Sequence, residues 1–452
     1  MLLTRIFYMG VCICWLLPMA AVADVGTSPG ISHTTDTTDT TDSSVTSTIV
    51  SATGVDKVDP ALPAFIQQVW TESPAVQGAQ AAIEAARARR DGADRPLHNP
   101  SLGLDAERTD INTSTVGLTQ TLDWSDKRGA LVNIATQEEQ AVQAAFQEVR
   151  RSTALEALNA LVGFSTAREM QKLAKHRTQL MQTLVDTATQ RQAAGDMQAL
   201  DVILAQVAYS EALMTQAEVE STLSEAEAAL QAVSGLMQSP SQWPSLPSAL
   251  ALPSAQETES TAFESLPRLA MLRSRVEAAR ARISLAEKRG RTDPTLGIRA
   301  GKEDSETLLG LSLEIPLFVR NSFKAEARAA SHDAIAEEQA YRDAYRRARA
   351  YFTGALARYQ NTSHAWRVWL AAGQHAQREQ MSLLDQLWQV GELSVTDYLI
   401  QAKQNIDTQE AATRLLGETR QAHFAWLAAS NQVERWLGLA QHDIETNSGE
   451  SK

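Results

Sequence analysis

Cysteine is nearly absent from this 452-residue chain. Its two cysteines, Cys12 and Cys14, both lie in an apolar stretch near the first residue. Without that stretch the chain has no thiol, which excludes a disulfide framework and a thiolate metal site. Lipid attachment is an alternative role for them, but Val11 and Ile13 are large where such a site requires a small preceding residue.

The apolar stretch has the pattern of a secretory signal. Arg5 precedes the apolar residues 6–17, and small residues follow as far as Ala23. We therefore predict that residues 1–23 are a signal peptide cleaved before Asp24. An uncleaved membrane anchor fits less well, because the run is shorter than the ~20 residues that a spanning helix needs.

Long hydrophobic runs are missing from the rest of the sequence. No later segment is apolar enough to cross a membrane as a helix, so insertion in a membrane requires strands. Basic residues are outnumbered too: 54 acidic against 41 basic residues give a formal net charge of −13. An acidic chain binds nucleic acid poorly, so no nucleic-acid partner is expected.

Signatures of catalysis and of metal binding are also lacking. The sequence has no glycine-rich phosphate loop, nucleophile elbow or His-Glu zinc motif. Its eight histidines show no ligand spacing. We expect no enzymatic activity, no cofactor and no resident metal site.

Proline is absent from two long stretches, which predicts very long helices. Residues 125–193 contain no proline and would reach roughly 100 Å as one helix. The second stretch is predicted to run from Pro316, a favourable first helical residue, to about residue 389. Apolar residues within it recur every 3.5 residues on average, which is typical of a coiled-coil seam. The seam residues are Tyr341, Tyr345, Ala348, Phe352, Ala355, Tyr359, Thr362, Trp366 and Trp369.

The chain repeats itself at a spacing of about 193 residues, which indicates a duplicated half-protein rather than a short-period array. Four segments recur in the same order. They are residues 83–89 and 276–282, 100–104 and 294–298, 116–118 and 309–311, and 194–196 and 390–392.

Each copy contains two segments in which apolar and polar residues alternate. The pattern is clearest at Leu309, Leu311 and Leu313, which alternate with Gly310 and Ser312. Such alternation predicts strands with one apolar and one polar face. Short polar connections at residues 109–114 and 302–307 make each pair a β-hairpin.

These features divide the chain into successive segments. The Thr-, Ser- and Asp-rich residues 24–59 are predicted to be disordered. The other segments are a first repeat at residues 60–238 with a hairpin at 100–122, a Pro/Ser-rich linker at 239–267, a second repeat at 268–439 with a hairpin at 294–315, and a flexible tail at 440–452.

Four strands with an apolar face cannot lie alone in a bilayer. The open edges of their sheet would leave backbone groups unpaired in hydrocarbon, so the sheet must close. Closed membrane barrels begin at about eight strands, so several copies must share one barrel. The residues alone therefore predict an oligomeric tube, with a shared β-barrel in the outer membrane and a helical barrel in the periplasm.

This plan resembles the TolC family of outer-membrane efflux channels. Residues 120–128, Gln-Thr-Leu-Asp-Trp-Ser-Asp-Lys-Arg, and residues 315–321, Ile-Pro-Leu-Phe-Val-Arg-Asn, resemble the strand-to-helix junctions of its CzcC-type branch. The resemblance implies a mainly α fold and a homotrimer whose four strands per chain complete a 12-stranded barrel. It also implies a passive exit duct for heavy-metal cations, supplied by an inner-membrane pump of the resistance-nodulation-division (RND) class and a periplasmic adaptor.

The turns between the long helices are candidate adaptor contacts. Gly195 and Gly391 are typical of helix C-termini, where glycine takes a positive φ. In the family such tips touch the adaptor, so a purely structural role and a binding role both stay open. The candidate residues are Ala194, Gly195, Asp196, Val390, Gly391 and Glu392.

Three residues just beyond these turns are candidates for a periplasmic gate. Asp397 matches the family position of an acidic ring, and Asp201 is its counterpart in the first copy. Like charges held close together raise one another's pKa and attract cations. Alternatively, Asp397 is a solvated acid favoured by the helix dipole. Tyr398 either narrows the pore or packs in a core, and no basic residue follows Gly391 within its turn to form an ion-pair latch.

Other functions remain as alternatives. Multidrug and type I secretion channels use the same kind of tube, and the sequence does not distinguish their cargoes from metal ions. A periplasmic coiled-coil adaptor or scaffold without a pore is a further alternative, although paired alternating strands in both halves are foreign to such proteins.

Overall fold

A computed structural model describes residues 59–108, 110, 112–235, 243–247, 250 and 262–439. The predicted signal peptide at residues 1–23, residues 24–58 of the Thr-rich segment, most of the linker and the tail at 440–452 lie outside these ranges.

The described residues are mainly helical, as predicted. The helices are α1 Ala61–Glu72, α2 Pro74–Ala93, α3 Lys127–Ala194, α4 Ala199–Ser234, α5 Pro267–Arg289, α6 Lys324–Val368, α7 Gln374–Gln389, α8 Val395–Ala429 and α9 Val433–Trp436. The strands are β1 Ser101–Arg108, β2 Asn112–Thr121, β3 Thr295–Glu303 and β4 Glu306–Glu314. Among these helices, none is both long and apolar enough to cross a membrane.

The two hairpins join into one antiparallel sheet in the order β1-β2-β3-β4. Their connections are shorter than predicted, because β2 already begins at Asn112 and β3 continues to Glu303. Asp304 explains the tight second turn: it has φ 50°, its amide donates to Asn112 O (2.8 Å), and its Oδ1 accepts from Asn112 N (3.0 Å). The contacts also tie the two hairpin turns together.

One face of the sheet is apolar and exposed within the single chain. In one row, Leu104 faces Val116, Val116 faces Ala300, and Ala300 faces Leu309. Leu309 and Leu311 are 82% and 87% exposed. Directly opposite residues share a face, so the polar residues that alternate with these apolar ones form the other face.

The helix of the second repeat does not begin at Pro316, which corrects the prediction. Residues 315–323 are not helical, and α6 starts at Lys324. Phe323 takes a left-handed conformation (φ 56°), its amide donates to Asn321 Oδ1 (3.0 Å), and its ring meets that of Phe318 edge to face at 5.2 Å. These contacts fix a turn that Pro316 alone does not reveal.

The corresponding turn in the first repeat follows the same design. Asp126, immediately before α3, also has a left-handed conformation (φ 54°), and its carboxylate accepts from Gly129 N. Asp123 accepts from Lys127 N and Arg128 N, each at 2.8 Å, and so satisfies the first free amides of the helix. The aspartates of the junction motif thus start α3.

A central core joins the two repeats. It combines α1, the middle of α3, the seam of α6 and the end of α8, with Trp243 packed against Phe65 and Phe164. From Tyr341 to Tyr359 the predicted seam faces this core. A π-helical turn, Trp369–Gly373, separates α6 from α7 and interrupts the predicted continuous helix.

Candidate functional site at the helix tips

The two long helix pairs end in matching turns. Gly195 and Gly391 have φ of 87° and 81°, which side chains with a Cβ adopt only with strain. Asp196 N donates to Arg191 O (2.9 Å), and Glu392 N donates to Leu387 O (3.0 Å). Both turns are Schellman motifs, so the structural role predicted for the two glycines is present.

The predicted tip residues are exposed to solvent. Ala194, Gly195 and Asp196 form the exposed end of α3, and Gly391 and Glu392 that of α7. Val390 is 71% exposed although it is apolar.

A separate hydrophobic cluster lies directly behind these turns. We call it the tip cluster: Met181, Leu184, Ala188, Val202, Ala205, Ala212, Leu384, Trp388, Val395, Tyr398 and Ala402. Because its members come from α3, α4, α7 and α8, it fastens the ends of both repeats to each other.

Asp397 lies exposed in the first turn of α8. Its amide donates to Ser394 Oγ (3.1 Å), and that hydroxyl donates to Asp397 Oδ2 (2.7 Å). Ser394 is thus the N-cap of α8, and an acid in this first turn also suits the helix dipole. Asp201 occupies the same turn of α4, half-buried, with its amide bonded to Gln198 O (3.1 Å).

Tyr398 is packed inside the chain rather than exposed. It is 3% exposed, its ring lies 5.0 Å from that of Trp388, and its hydroxyl donates to Asp385 Oδ1 (2.9 Å). Burial, followed by the hydrogen bond to the Asp385 carboxylate, raises the pKa of Tyr398. The hydroxyl therefore stays protonated and holds α8 against α7.

Arg191 is a residue of this site that the sequence did not single out. Its guanidinium lies 4.7 Å from the centre of the Trp388 ring and donates to Trp388 O (3.1 Å). A cation is favourable at the C-terminal end of a helix, and α7 ends at Gln389. A basic residue does lie at the end of α7, but it comes from the other repeat and contacts a ring and carbonyl oxygens.

Three ion pairs, formed by Lys403 and Arg177, connect the repeats further from the tips. Lys403 of α8 lies 2.6 Å from Glu211 of α4 and lowers the pKa of that carboxyl. Arg177 of α3 pairs with Asp407 and, at 3.3 Å, with Glu410 of α8. The part of the chain that the structure describes contains no cluster of histidine, cysteine and acidic residues able to hold a metal ion.

The sequence is similar to one protein family and to one curated relative. Residues 65–236 match the family described as outer membrane efflux protein. The cobalt-zinc-cadmium resistance protein CzcC of Cupriavidus metallidurans is 28% identical over 236 residues. That alignment covers 50% of this chain and 56% of CzcC, so the chain spans little more than half of this curated relative.

Solved channel structures share the fold over most of the chain. The outer-membrane channel CmeC of Campylobacter jejuni has a TM-score of 0.71 at 12% identity, covering 86% of this chain and 90% of CmeC. CusC, whose structures concern folding and transmembrane channel formation, has a TM-score of 0.70 at 16% identity, covering 82% and 92%.

These findings confirm the predicted fold of the single chain, and the family match supports the predicted location in the outer membrane. Residues 65–236 thus match the outer membrane efflux protein family, and the described chain has the fold of the TolC-like outer-membrane channels.

Proposed function

We propose that the chain forms the outer-membrane exit duct of a tripartite efflux system. The observation that carries the proposal is the sheet, with one apolar exposed face, one polar face and open edges at β1 and β4. Such a sheet is stable in a bilayer only when further copies close it into a barrel with a polar lumen. A homotrimer gives twelve strands, and α3, α4 and α6–α8 extend that lumen into the periplasm.

The proposed partners follow from this position. The exposed turns at Gly195 and Gly391 are the surface for hairpins of a periplasmic adaptor, which joins the duct to an inner-membrane RND pump. The duct itself is passive, and the pump supplies the energy and selects the cargo.

Heavy-metal cations are the proposed cargo. The similarity to a cobalt-zinc-cadmium resistance protein supports this class, and the acidic chain suits the passage of cations. A multidrug or type I secretion channel is the alternative, and it has the support of the shared channel fold.

The proposed periplasmic gate consists of Asp397, with Asp201 as its counterpart. In a trimer each would occur three times about one axis, where the carboxylates attract cations and repel one another. Tyr398 contributes from behind, by fixing the start of α8 against Trp388 and Asp385.

Deletion and complementation test the proposal. A deletion strain should lose tolerance to zinc, cobalt or cadmium, and the wild-type chain should restore it. New sensitivity to drugs with unchanged metal tolerance would overturn the cation assignment and favour the alternative.

Fractionation tests the duct itself. We expect a heat-modifiable oligomer in the outer membrane. A monomer recovered from the soluble periplasm would instead indicate an adaptor or scaffold without a pore.

A further inference from the structure

The polar face of the sheet contains one row with a single large side chain. In that row Gly103 faces Gly117, Gly117 faces Arg299, and Arg299 faces Gly310. Arg299 is exposed and forms no ion pair with another described residue. A guanidinium is always charged, so its position on an otherwise small-residue row requires an explanation.

The side chain of Arg299 leans from β3 across β4. A Cβ added at residue 310 would lie 2.7 Å from Arg299 Nε and 3.0 Å from its Cγ, closer than real Cβ atoms approach their neighbours. Gly310 does not have a positive φ, so its backbone conformation does not demand glycine. The small residue instead leaves room for the side chain of Arg299 to lie over β4.

Among the described residues, no further strand lies beyond β4. β4 and β1 are the two edges of the four-stranded sheet. In a ring of identical subunits the contact is head to tail, so β4 of one copy pairs with β1 of the next. The polar face of β1 carries two exposed carboxylates, Asp105 and Glu107, and neither is ion-paired among the described residues.

We propose that Arg299 forms an ion pair across the subunit boundary, with Asp105 or Glu107 of the neighbouring copy. The partner is a second copy of this chain, and the inference rests on the proposed closure of a shared barrel. Two strand spacings, about 9.6 Å, separate β3 from the strand beyond β4, so the arginine lying over β4 and a carboxylate side chain of that strand reach towards each other across β4. The pair fixes the register of this boundary, which backbone hydrogen bonds alone leave free to slip by two residues.

Charge exchange tests the pair. Arg299→Glu places like charges together at each boundary, and we expect the temperature at which the oligomer dissociates in SDS to fall by about 5 °C or more. Combining it with Asp105→Arg or Glu107→Arg should restore at least half of that loss, and the combination that restores it identifies the acid. Glu303→Lys, a charge reversal on the same strand and face, is the matched control and should leave dissociation unchanged.

Cysteine cross-linking tests the register with Arg299 intact. The only native cysteines are Cys12 and Cys14, so introduced thiols report cleanly once both are removed with the predicted signal peptide. Leu311→Cys on the apolar face of β4 is combined with Leu102→Cys, Leu104→Cys or Ala106→Cys on β1. A dominant cross-link at 104 or 106 places Asp105 or Glu107 opposite Gly310 and supports the proposal.

Three outcomes overturn the ion pair. They are a cross-link dominated by position 102, no cross-link in any combination, or no restoration by either charge exchange. A wild-type chain that forms no oligomer contradicts the proposed duct itself. A wild-type oligomer that is insensitive to Arg299→Glu contradicts only the ion pair, so the two failures are distinguishable.

Discussion

Arg191 and Trp388 connect the ends of the two repeats, although 197 residues separate them in the chain. The guanidinium stacks 4.7 Å from the indole ring centre and donates to the carbonyls of Trp388 (3.1 Å) and Gln389 (3.5 Å). One side chain thus covers the ring of the last large residue of α7 and donates to two carbonyls at the helix end.

We predict that Arg191→Ala loosens the end of α7. The loss of the cation–π contact and of the carbonyl hydrogen bonds should cost about 1–2 kcal/mol locally. Amides of residues 386–392 should then exchange with deuterium roughly 5–30 times faster, as measured by mass spectrometry. The exchange rates in Arg191→Lys should lie between those of the wild type and Arg191→Ala, since lysine keeps the charge but not the planar donor geometry.

Arg414→Ala is the control for this prediction. Arg414 is exposed and pairs with Glu410 at 3.6 Å on its own helix, so its removal should leave exchange at the tip unchanged. Equal exchange in wild type and Arg191→Ala would show that the contact does not stabilise the tip.

Gly391→Ala should strain the turn that joins α7 to α8. An alanine at φ 81° costs roughly 1 kcal/mol or more, although no atom lies within 4 Å of the added Cβ. Chymotrypsin cleavage after Trp388 and Leu393 should therefore accelerate about fivefold, if the strained turn opens more often. Gly195→Ala should strain the turn between α3 and α4 in the same way.

Gly354→Ala is a matched control for the turn glycines. Gly354 lies within α6, has an ordinary helical φ and also has no atom within 4 Å of an added Cβ. Alanine should stabilise this position by about 0.5–1 kcal/mol. If all three glycine variants behave alike, positive φ is not what selects glycine at the tips.

The strands were predictable because alternation is a local property. Each apolar residue of β4 that sequence analysis placed on one face, such as Leu309 and Leu311, lies on the exposed face of the sheet. The length of α3 was predictable for a related reason, since residues 125–193 lack proline, the residue that breaks the interior of a helix most strongly.

The parts that sequence analysis missed depend on contacts between distant or unexpected partners. Pro316 satisfied the rule for a helix start, but the pairing of Phe318 with Phe323 and of Asn321 with the Phe323 amide fixes a turn there instead of a helix. In the site, the two glycines made both turns predictable from the sequence. No local sequence pattern links Arg191 to Trp388, so their contact was not predictable.

Asp397 combines a capping contact with an exposed charge, and two variants separate these roles. Asp397→Asn removes the charge. Ser394→Ala instead removes the hydroxyl that donates to the Asp397 carboxylate and accepts a hydrogen bond from the Asp397 amide. If Asp397 is a gate residue, Asp397→Asn should alter single-channel conductance and weaken block by divalent cations. Ser394→Ala should cost about 1 kcal/mol of helix stability while cation block persists.

The control for charge is Glu379→Gln, because Glu379 is an exposed acid of α7 outside the tip. Conductance and cation block that are unchanged in Asp397→Asn would remove Asp397 from the gate.

His423 should make the fold sensitive to mild acid. Its side chain is buried among Tyr359, Phe424 and Trp436, and burial lowers its pKa from 6.5 to about 3. The folded state therefore binds the proton more weakly than the unfolded state. The stability that the neutral His423 side chain contributes is fully present above pH 6.5. It is lost as the pH falls towards 3, by at most about 1.4 kcal/mol per pH unit.

His423→Leu should flatten that part of the pH dependence, measured by denaturant unfolding in detergent between pH 7.5 and 5. The packing change alters stability equally at every pH, so the slope rather than the absolute value is diagnostic. His375→Gln removes a histidine whose side chain is 84% exposed and should leave the slope unchanged. An unaltered slope in His423→Leu would place the acid sensitivity elsewhere.

Lys127 and Asp293 form the least exposed ion pair at the junction between sheet and helices. Their charged atoms are 2.7 Å apart, the side chains are 15% and 9% exposed, and Lys127 also donates to Arg291 O (3.1 Å). Lys127→Met should destabilise the fold by about 3–5 kcal/mol, because it leaves a buried carboxylate without its cation. Adding Asp293→Leu should recover most of this loss, since the unpaired charge is then gone.

The exposed pair of Lys172 and Glu169 provides the comparison for Lys127. Its atoms are as close, at 2.6 Å, but its side chains are 60% and 56% exposed. Lys172→Met should therefore change stability by less than about 0.5 kcal/mol. Denaturant unfolding of the wild type and the three variants measures both pairs, and a loss in Lys127→Met no larger than in Lys172→Met would mean that burial does not strengthen the junction pair.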